Sequence, residues 1–509
     1  MTAFDALASE MAGHGPVFGI PGSGASLELL DALERQGTAF HLSHHEAAAA
    51  IMAGTMGRLS GRAGLALAIK GPGLANLVPG LAACWFESFP LVALCEALPA
   101  GVDWRQRHKG LHHAALVAAI SKGRYGLWQE GEDDGGEGAF SNAAALATAE
   151  VPGPVVLELV AGEVAAEPGG FGALAFESVI ATVERAQRPL VIAGSLALRS
   201  GWREALAALE IPIFSTASAK GVIDERRFPA AGVYTGAGLE KAPESSLLPA
   251  ADLVVGLGLR PQEVLAAKPF ACPAVNLDDA ASSRAFDFAA SDGVAAGPRV
   301  LAALAGKTWG QDLVAEAWEV LDQHLAEAQP ARALAAIARR FEQVRAVFDT
   351  GYFCTIGEHA WRPAQAELCL MAGQGRTMGT GIPMAIAAAL YDRLPSVAVV
   401  GDGGIGMHVA ELKLAVAEKL PLLVLLISDG GFGSVRSRAL ADGLSQAPLL
   451  IAEPSWLAVL EGLGLPGTRA ESETALGDAL AAWEPASGPA YIEFPCDPEA
   501  YQAMVVGLR

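Results

Sequence analysis

The sequence predicts an α/β protein built of three doubly wound parallel-sheet domains, the first and last alike. Three observations carry this. The first is the stretch 396–433, SVAVVGDGGIGMHVAELKLAVAEKLPLLVLLISDGGFG. It opens on an apolar, β-branched run at 397–400 and closes on another at 422–427, and residues 408–419 between them place apolar residues at helical spacing. That is a βαβ unit, whose strands lie parallel in a sheet covered by helices. The second is an internal echo: GPVVLELV at 153–160 recurs as GPAYIEFP at 488–495. Two Gly-Pro turns, each feeding an apolar strand, predict two copies of one fold. The third is the set of apolar runs RPLVIAG, IPIFSTASAKG and ADLVVGLG, separated by helical stretches, which predicts a central α/β domain over 175–305. The expected boundaries are 1–165, 175–305, a helical connection at 306–345, and 346–509.

Composition sets outer limits. A chain that is 52% hydrophobic and 18% charged, with 58 glycines, is a large buried globule and not a disordered one. A net charge of −21 argues against nucleic acid or an anionic membrane surface as a partner. The six cysteines show no CxxC and no His/Cys clustering, so they read as reduced core residues of a cytoplasmic protein. No charged segment followed by an apolar one opens the chain, and no apolar run is long enough to span a bilayer. An enzyme, a small-molecule sensor and a structural oligomer all satisfy these limits.

The two strands of 396–433 each end in a Gly-rich turn with one acid: Asp402, followed by Gly403 and Gly404, and Asp429, followed two residues on by Gly431. Strand-end turns on one edge of a parallel sheet are where open α/β folds bind ligands. Two carboxylates repel a bare phosphate but attract a hard cation. Mg²⁺ takes one or two carboxylates and completes its shell with phosphate oxygens and water. A cation-bridged diphosphate therefore fits. GDGGIG also reads G-x-G-x-x-G, the dinucleotide fingerprint, although its second position is an acid that would face the pyrophosphate. A purely structural Gly-rich turn is the third reading.

Taken in order, the first domain runs from a strand at 17–20 through a Pro-Gly-Ser-Gly turn into an amphipathic helix, and then repeats the pattern through FHLSHHEAAAAIMAGTMGRLSGRAG. Glu46 stands at the start of that Ala-rich helix, where an acid suits the helix dipole whatever else it does. Next, LALAIKGPGLANLVPGLAACWFESFPLVALCEA gives a strand, the turn Gly71-Pro72-Gly73, a helix containing Asn76, and another strand. Lys70, just before the turn, is either a solvated surface residue or a cation facing a substrate carboxylate. His112 and His113 follow in LHHAALVAAISK. Adjacent helical residues point about 100° apart, so at most one faces a given site. Imidazole is a proton donor and acceptor near neutral pH.

These motifs carry a resemblance. GDG, followed a helix later by an Asn-Asn-like pair, resembles the cofactor motif of thiamine-diphosphate (ThDP) enzymes. Glu46, Ala53, Gly54, Arg58 and Gly61 match that family's "HE…A…MA.G..R..G" pattern in order, and GPG…N…G…A…P matches its second signature. Over nearly its whole length the sequence is similar to the pyruvate decarboxylase/acetohydroxyacid synthase superfamily. The resemblance implies a pyrimidine-binding first domain and a diphosphate-binding last one. It implies that Glu46 activates the cofactor, that Gly73 and Asn76 line its site, and that Asp402, Asp429 and the Gly431 carbonyl hold Mg²⁺, with Gly403 and Gly404 beside the diphosphate. It carries His359, in an expected turn Gly357-Glu358-His359, to the diphosphate, and Arg376 and Met378 of GQGRTMGTG to the aminopyrimidine.

There are departures. Ser428-Asp429 replaces Asn-Asn and adds a negative charge, and Lys70 stands where a small polar residue is expected. His112-His113 falls where acetohydroxyacid synthases place Phe-Gln, and the expected role is protonation of the enamine in preference to carboligation. In the synthases the central domain binds FAD, and in some relatives ADP; no nucleotide fingerprint occurs here, so no flavin is expected.

The implied activity is ThDP- and Mg²⁺-dependent decarboxylation of a 2-oxo acid through an enamine, released as aldehyde or passed to a carbonyl acceptor. An acetolactate synthase-type carboligase is the alternative. Another ThDP carbon–carbon lyase, a catalytically silent relative and a dinucleotide-dependent dehydrogenase follow. The family also implies a homodimer or homotetramer, with Glu46 and Asp402 supplied by different subunits.

Overall fold

In this computed structural model the described residues are 3–19, 25–43, 45–97, 111–126, 138–159, 176–260, 263–265, 270–278, 289–291, 293–373, 379–431, 433, 451, 455–503 and 505–508. The chain divides into two compact units. One comprises residues 1–169 with 386–393 and 410–414; the other comprises the remainder.

The first unit holds one six-stranded sheet: β1 (Val17–Gly19), β2 (Phe40–Leu42), β3 (Gly64–Ala68), β4 (Leu91–Glu96), β5 (Gly123–Gly126) and β6 (Pro154–Leu159), in the order β2-β1-β3-β4-β6-β5. Every pairing is parallel. Strands β3, β4 and β6 are buried along their whole length, which is why they read as unbroken apolar runs and not as alternating ones. Their side chains Leu65, Leu67, Val92, Leu94, Val155 and Leu157 form the core with Phe140 and Leu29. Burying each such side chain contributes about 1.5–3 kcal/mol before the cost of ordering it.

The second unit holds two sheets. The central one is β7 (Pro189–Ala193), β8 (Ile213–Ser215), β9 (Ala230–Val233), β10 (Leu253–Leu257), β11 (Ala274–Leu277) and β12 (Ala289–Ser291), in the order β12-β11-β10-β7-β8-β9. The last is β13 (Arg345–Phe348), β14 (Cys369–Met371), β15 (Ser396–Gly401), β16 (Leu422–Ser428), β17 (Gly467–Arg469) and β18 (Ala490–Pro495), in the order β14-β13-β15-β16-β18-β17. All their pairings are parallel too.

The first and last sheets share one topology, and the echoed Gly-Pro strands, β6 and β18, occupy the same place in it. The central sheet differs: counted from β9 it has the strand order 3-2-1-4-5-6 of a dinucleotide fold. The strand order reverses between β7 and β10 in the central sheet, and first reverses between β1 and β3 and between β13 and β15 in the other two; the crevice outside the carboxyl ends at such a point is where these folds bind ligands.

Within the second unit a buried ion pair joins the central and last sheets. Lys220 Nζ lies 2.6 Å from Glu225 Oε2 and donates to the Glu358 carbonyl at 2.8 Å. Two helices, Gln311–Leu325 and Gln329–Arg340, lie in sequence between these sheets. The single helix expected at 408–419 is instead three short pieces, Asp402–Ile405, a 3-10 turn Val409–Glu411, and Leu412–Ala417. The Gly-rich segment itself winds into the first turn, and the Met407 amide closes it on the Gly404 carbonyl at 3.1 Å. Among the described residues no helix is long and apolar enough to cross a membrane. All six cysteines are free, and five are buried.

Candidate functional site

In the first unit the site begins at the start of the helix Glu46–Ser60, which follows β2. The Glu46 side chain is buried, and its Oε2 accepts from Asn76 Nδ2 at 3.0 Å. Asn76 lies on the helix Pro72–Phe86, which follows β3. Small residues let these two helices touch: a Cβ on Gly80 would collide with the Ala47 carbonyl, so only glycine permits this approach. Gly73 is buried in the first turn of the second helix, where backbone amides lack intrahelical partners.

His112 and His113 separate. His112 is exposed and caps a short helix, its Nδ1 accepting from the Ala115 amide at 3.1 Å. His113 is buried, and both its ring nitrogens are engaged. Nε2 accepts from the Gly71 amide at 3.0 Å, and Nδ1 lies 2.9 Å from Glu158 Oε1. A nitrogen that accepts from an amide carries no proton, so Nδ1 bears it and donates to Glu158. Arg124 completes the chain by pairing with Glu158 Oε2. The two rings part, as the 100° spacing predicts: His112 caps a helix, and His113 hydrogen-bonds the Gly71 turn. Lys70, on the same turn, is partly exposed, with its Nζ 3.8 Å from Glu96 Oε2.

In the second unit the last sheet brings the two acids of the Gly-rich turns together. β15 pairs with β16 from Ser396↔Leu422 to Gly401↔Ile427, so Asp402 emerges beside the end of β16. Asp402 Oδ2 accepts from the amides of Asp429 and Gly430 at 2.8 and 3.0 Å, and Oδ1 accepts from Ser428 Oγ at 2.8 Å. Ser428 thus supplies a donor to Asp402 from the first position of the altered pair. Asp429 is buried, and Gly403, Gly404 and Gly431 line the same turns. Among the described residues no group of three His, Cys, Asp or Glu side chains surrounds a metal-sized point. What is present is two carboxylates on adjacent strand ends with backbone carbonyls beside them. That set of hard oxygens suits Mg²⁺ only where phosphate and water complete the shell.

Gly357-Glu358-His359 is not a turn. It lies inside the helix Tyr352–Ala360, with Glu358 and His359 both buried. The turn at the end of β13 is Asp349-Thr350-Gly351, and the sequence reading passed over it. Asp349 accepts from the Thr350 amide at 2.7 Å and from the Gly379 amide at 2.8 Å, just ahead of the helix Gly381–Asp392. A Cβ on Gly404 would overlap Asp349 Oδ2, so the carboxylate and the GDGG turn are packed directly together. Its one mark in the sequence is faint: the strand RAVF runs straight into Asp-Thr-Gly. Burial pushes the Asp349 carboxyl up to about 7, against the pull of the amides of Thr350, Gly379, Thr380 and Gly381. Arg376 and Met378 lie outside the described residues.

The central sheet's reversal point, between β7 and β10, is occupied by the protein's own acid. Glu263 Oε2 accepts from the Ser195 amide at 2.9 Å and from Thr216 Oγ1 at 2.7 Å, and Oε1 accepts from Ser195 Oγ at 2.5 Å. These are the strand-end groups that a nucleotide phosphate would use. Burial raises the Glu263 carboxyl, and Arg260 pulls it back. Arg260 is itself paired with buried Asp278 at the end of β11, at 2.9 Å.

Comparison with known proteins agrees with this architecture. Three family models match in order: the thiamine pyrophosphate enzyme N-terminal TPP binding domain at residues 1–115, the central domain at 176–285 and the C-terminal TPP binding domain at 349–494. The chain is 27% identical to an acetolactate synthase of Bacillus subtilis, covering 94% of this chain and 90% of that protein. It is 28% identical to a probable 2-ketoarginine decarboxylase of Pseudomonas aeruginosa, covering 90% and 87%. It is 26% identical to a catabolic acetolactate synthase of Raoultella terrigena, covering 97% and 94%.

The Asp349 geometry generates a pH test. The folded acid keeps its proton to a higher pH than the unfolded one, whose value is about 3.9. Between about pH 4 and 7 the native state therefore binds more protons, and its stability falls as pH rises through that window. Relative to Asp349→Asn, the cofactor-free wild type should lose about 2–3 kcal/mol between pH 5 and pH 8, read from denaturation midpoints. A difference that stays constant with pH would show that the carboxyl is ionised throughout.

Proposed function

Because the chain belongs to the ThDP-dependent 2-oxo acid decarboxylase and acetohydroxyacid synthase superfamily, we propose that it is a Mg²⁺-dependent lyase that removes the carboxyl group of a small 2-oxo acid. The observation that carries this reading is Glu46, a buried carboxylate at a helix start with one oxygen held by Asn76. ThDP, when bound, supplies the electron sink that decarboxylation requires. Asn76 anchors one oxygen of Glu46, so the other can share a proton with a pyrimidine nitrogen. Asp402 and Asp429, with the Gly431 carbonyl, are the groups that would hold Mg²⁺, and the amides around Gly403 and Gly404 would approach the diphosphate. His113 keeps the Gly71 turn in register beneath the substrate side.

A second reading, carboligation, is favoured by the same histidine. With both ring nitrogens of His113 engaged and His112 capping a helix, the pair expected to protonate the intermediate is otherwise employed. The related proteins are named for both outcomes. In either case the family arrangement implies at least a homodimer.

We also propose that the central domain holds no flavin or ADP, since Glu263 occupies the anion-binding groups of its crevice. Flavin absorbance near 450 nm in the purified protein, or nucleotide released on denaturation, would contradict this.

Glu46→Gln should keep ThDP bound while CO₂ release falls about 10²-fold or more. Its hydrogen–deuterium exchange at the thiazolium C2 should slow in parallel, and wild-type exchange would remove Glu46 from the role. In the same preparations Asp402→Ala should abolish Mg²⁺-dependent ThDP binding in calorimetry, whereas Asp429→Asn, which keeps an oxygen ligand, should weaken it only modestly. Unaltered affinity in Asp402→Ala at limiting Mg²⁺ would place the metal elsewhere.

A further inference from the structure

We propose that Lys70, held by Glu96, is the receptor for a carboxylate that the reaction retains. The proposal rests on the 2-oxo acid reading and adds a substrate class to it. Lys70 follows β3, and Glu96 ends β4, the neighbouring strand. Both side chains therefore emerge on the carboxyl edge that also carries Glu46 and the Gly71 turn. Glu96 is buried and anchored: its Oε1 accepts from the Ser26 amide at 3.0 Å and from Ser26 Oγ at 2.5 Å, in the first turn of the helix Ala25–Arg35. That leaves Oε2 facing Lys70. The Nζ–Oε2 separation of 3.8 Å is beyond hydrogen-bond reach, and the Lys70 side chain is 30% exposed. The anchored acid thus holds the ammonium at the edge without saturating its three donors.

The chemistry decides which anion it takes. A cation gripping the carboxylate that leaves as neutral CO₂ stabilises the ground state more than the transition state and slows the step. A cation gripping a carboxylate that stays binds both states alike and lowers KM. Two sources supply such a group. One is a donor with a second carboxylate, where R–CO–COO⁻ loses CO₂ and gains a proton to give an acid-bearing aldehyde. The other is a second 2-oxo acid acting as acceptor, where two acids give one 2-hydroxy-3-oxo acid and one CO₂.

The test compares 2-oxopentanoate with 2-oxopentanedioate, which differ by the terminal carboxylate alone, in wild type, Lys70→Met and Glu96→Gln. If the donor carries the anion, Lys70→Met lowers the dianion-to-monoanion kcat/KM ratio about tenfold or more, through KM. Glu96→Gln keeps an oxygen for Ser26 but removes the opposing charge, and it raises the ratio about three- to tenfold. If the acceptor carries it, Lys70→Met shifts 2-oxopentanoate from one CO₂ per two acids with a hydroxy-oxo acid product to one CO₂ per acid with aldehyde. A ratio and a product partition both unchanged in Lys70→Met would overturn the proposal and leave a structural counter-ion pair. Should the wild type release no CO₂ from either acid, calorimetric binding of pentanedioate and pentanoate still decides. Carboxylate affinity lost in Lys70→Met supports the receptor, and equal affinity in both proteins sinks it.

Discussion

Asp402 is held by the strand next to it, and the arrangement of the second unit's strand-end acids depends on that contact. The β15–β16 pairing sets it. Both strands are apolar at almost every position and buried on both faces, so their register follows from the burial of Val397, Val399, Leu423 and Leu425 in one core. With that register, the carboxylate of Asp402 takes the amides of Asp429 and Gly430, and the second acid stands beside the first. A slip of one residue would turn each side chain to the opposite face and separate the two. Asp349 continues the same logic one strand over, joining the end of β13 to the amide of Gly379 and the backbone of Gly404. Hydrogen bonds from backbone amides to Asp402 tie the ends of β15 and β16, and Asp349 packs the end of β13 against the same turn, which is how a Gly-rich edge with little side-chain mass keeps a defined shape.

Much of this was legible in the chain. Parallel strands buried on both faces read as unbroken apolar runs, and the turns after them read as glycine, so the βαβ unit, the echo of β6 in β18 and the Glu46 helix start could be placed from residues alone. What failed has a common cause. His113 and His359 were judged by residue type and by alignment to a motif, whereas the fold sets their surroundings: Glu158, distant in sequence, for the first, and the buried interior of the helix Tyr352–Ala360 for the second. Asp349 was missed because a single acid after a strand carries little signal until the glycines of two other loops close around it. The broken helix after Asp402 was missed because the apolar spacing of 408–419 says nothing about the glycine-rich turn that starts before it.

The departures from the family pattern follow charge. Ser428 replaces an amide with a hydroxyl that still donates to Asp402, while Asp429 brings a second formal charge to the Gly-rich turns. In the first unit a lysine appears beside the Gly71 turn, with an anchored glutamate on the next strand to balance it. Each added charge has a partner or an expected ligand of opposite sign, as burial demands. The central sheet follows the same rule, with Glu263 neutralising the donors of a crevice that its strand order would otherwise offer to a nucleotide.

The most direct test of the account is release of labelled CO₂ from a panel of 1-¹³C 2-oxo acids by protein stripped of cofactor and then reloaded. The account predicts release from at least one acid when ThDP and Mg²⁺ are both restored, and none when either is withheld. Release without ThDP, or no release from any acid by protein shown to have bound ThDP and Mg²⁺, would contradict it.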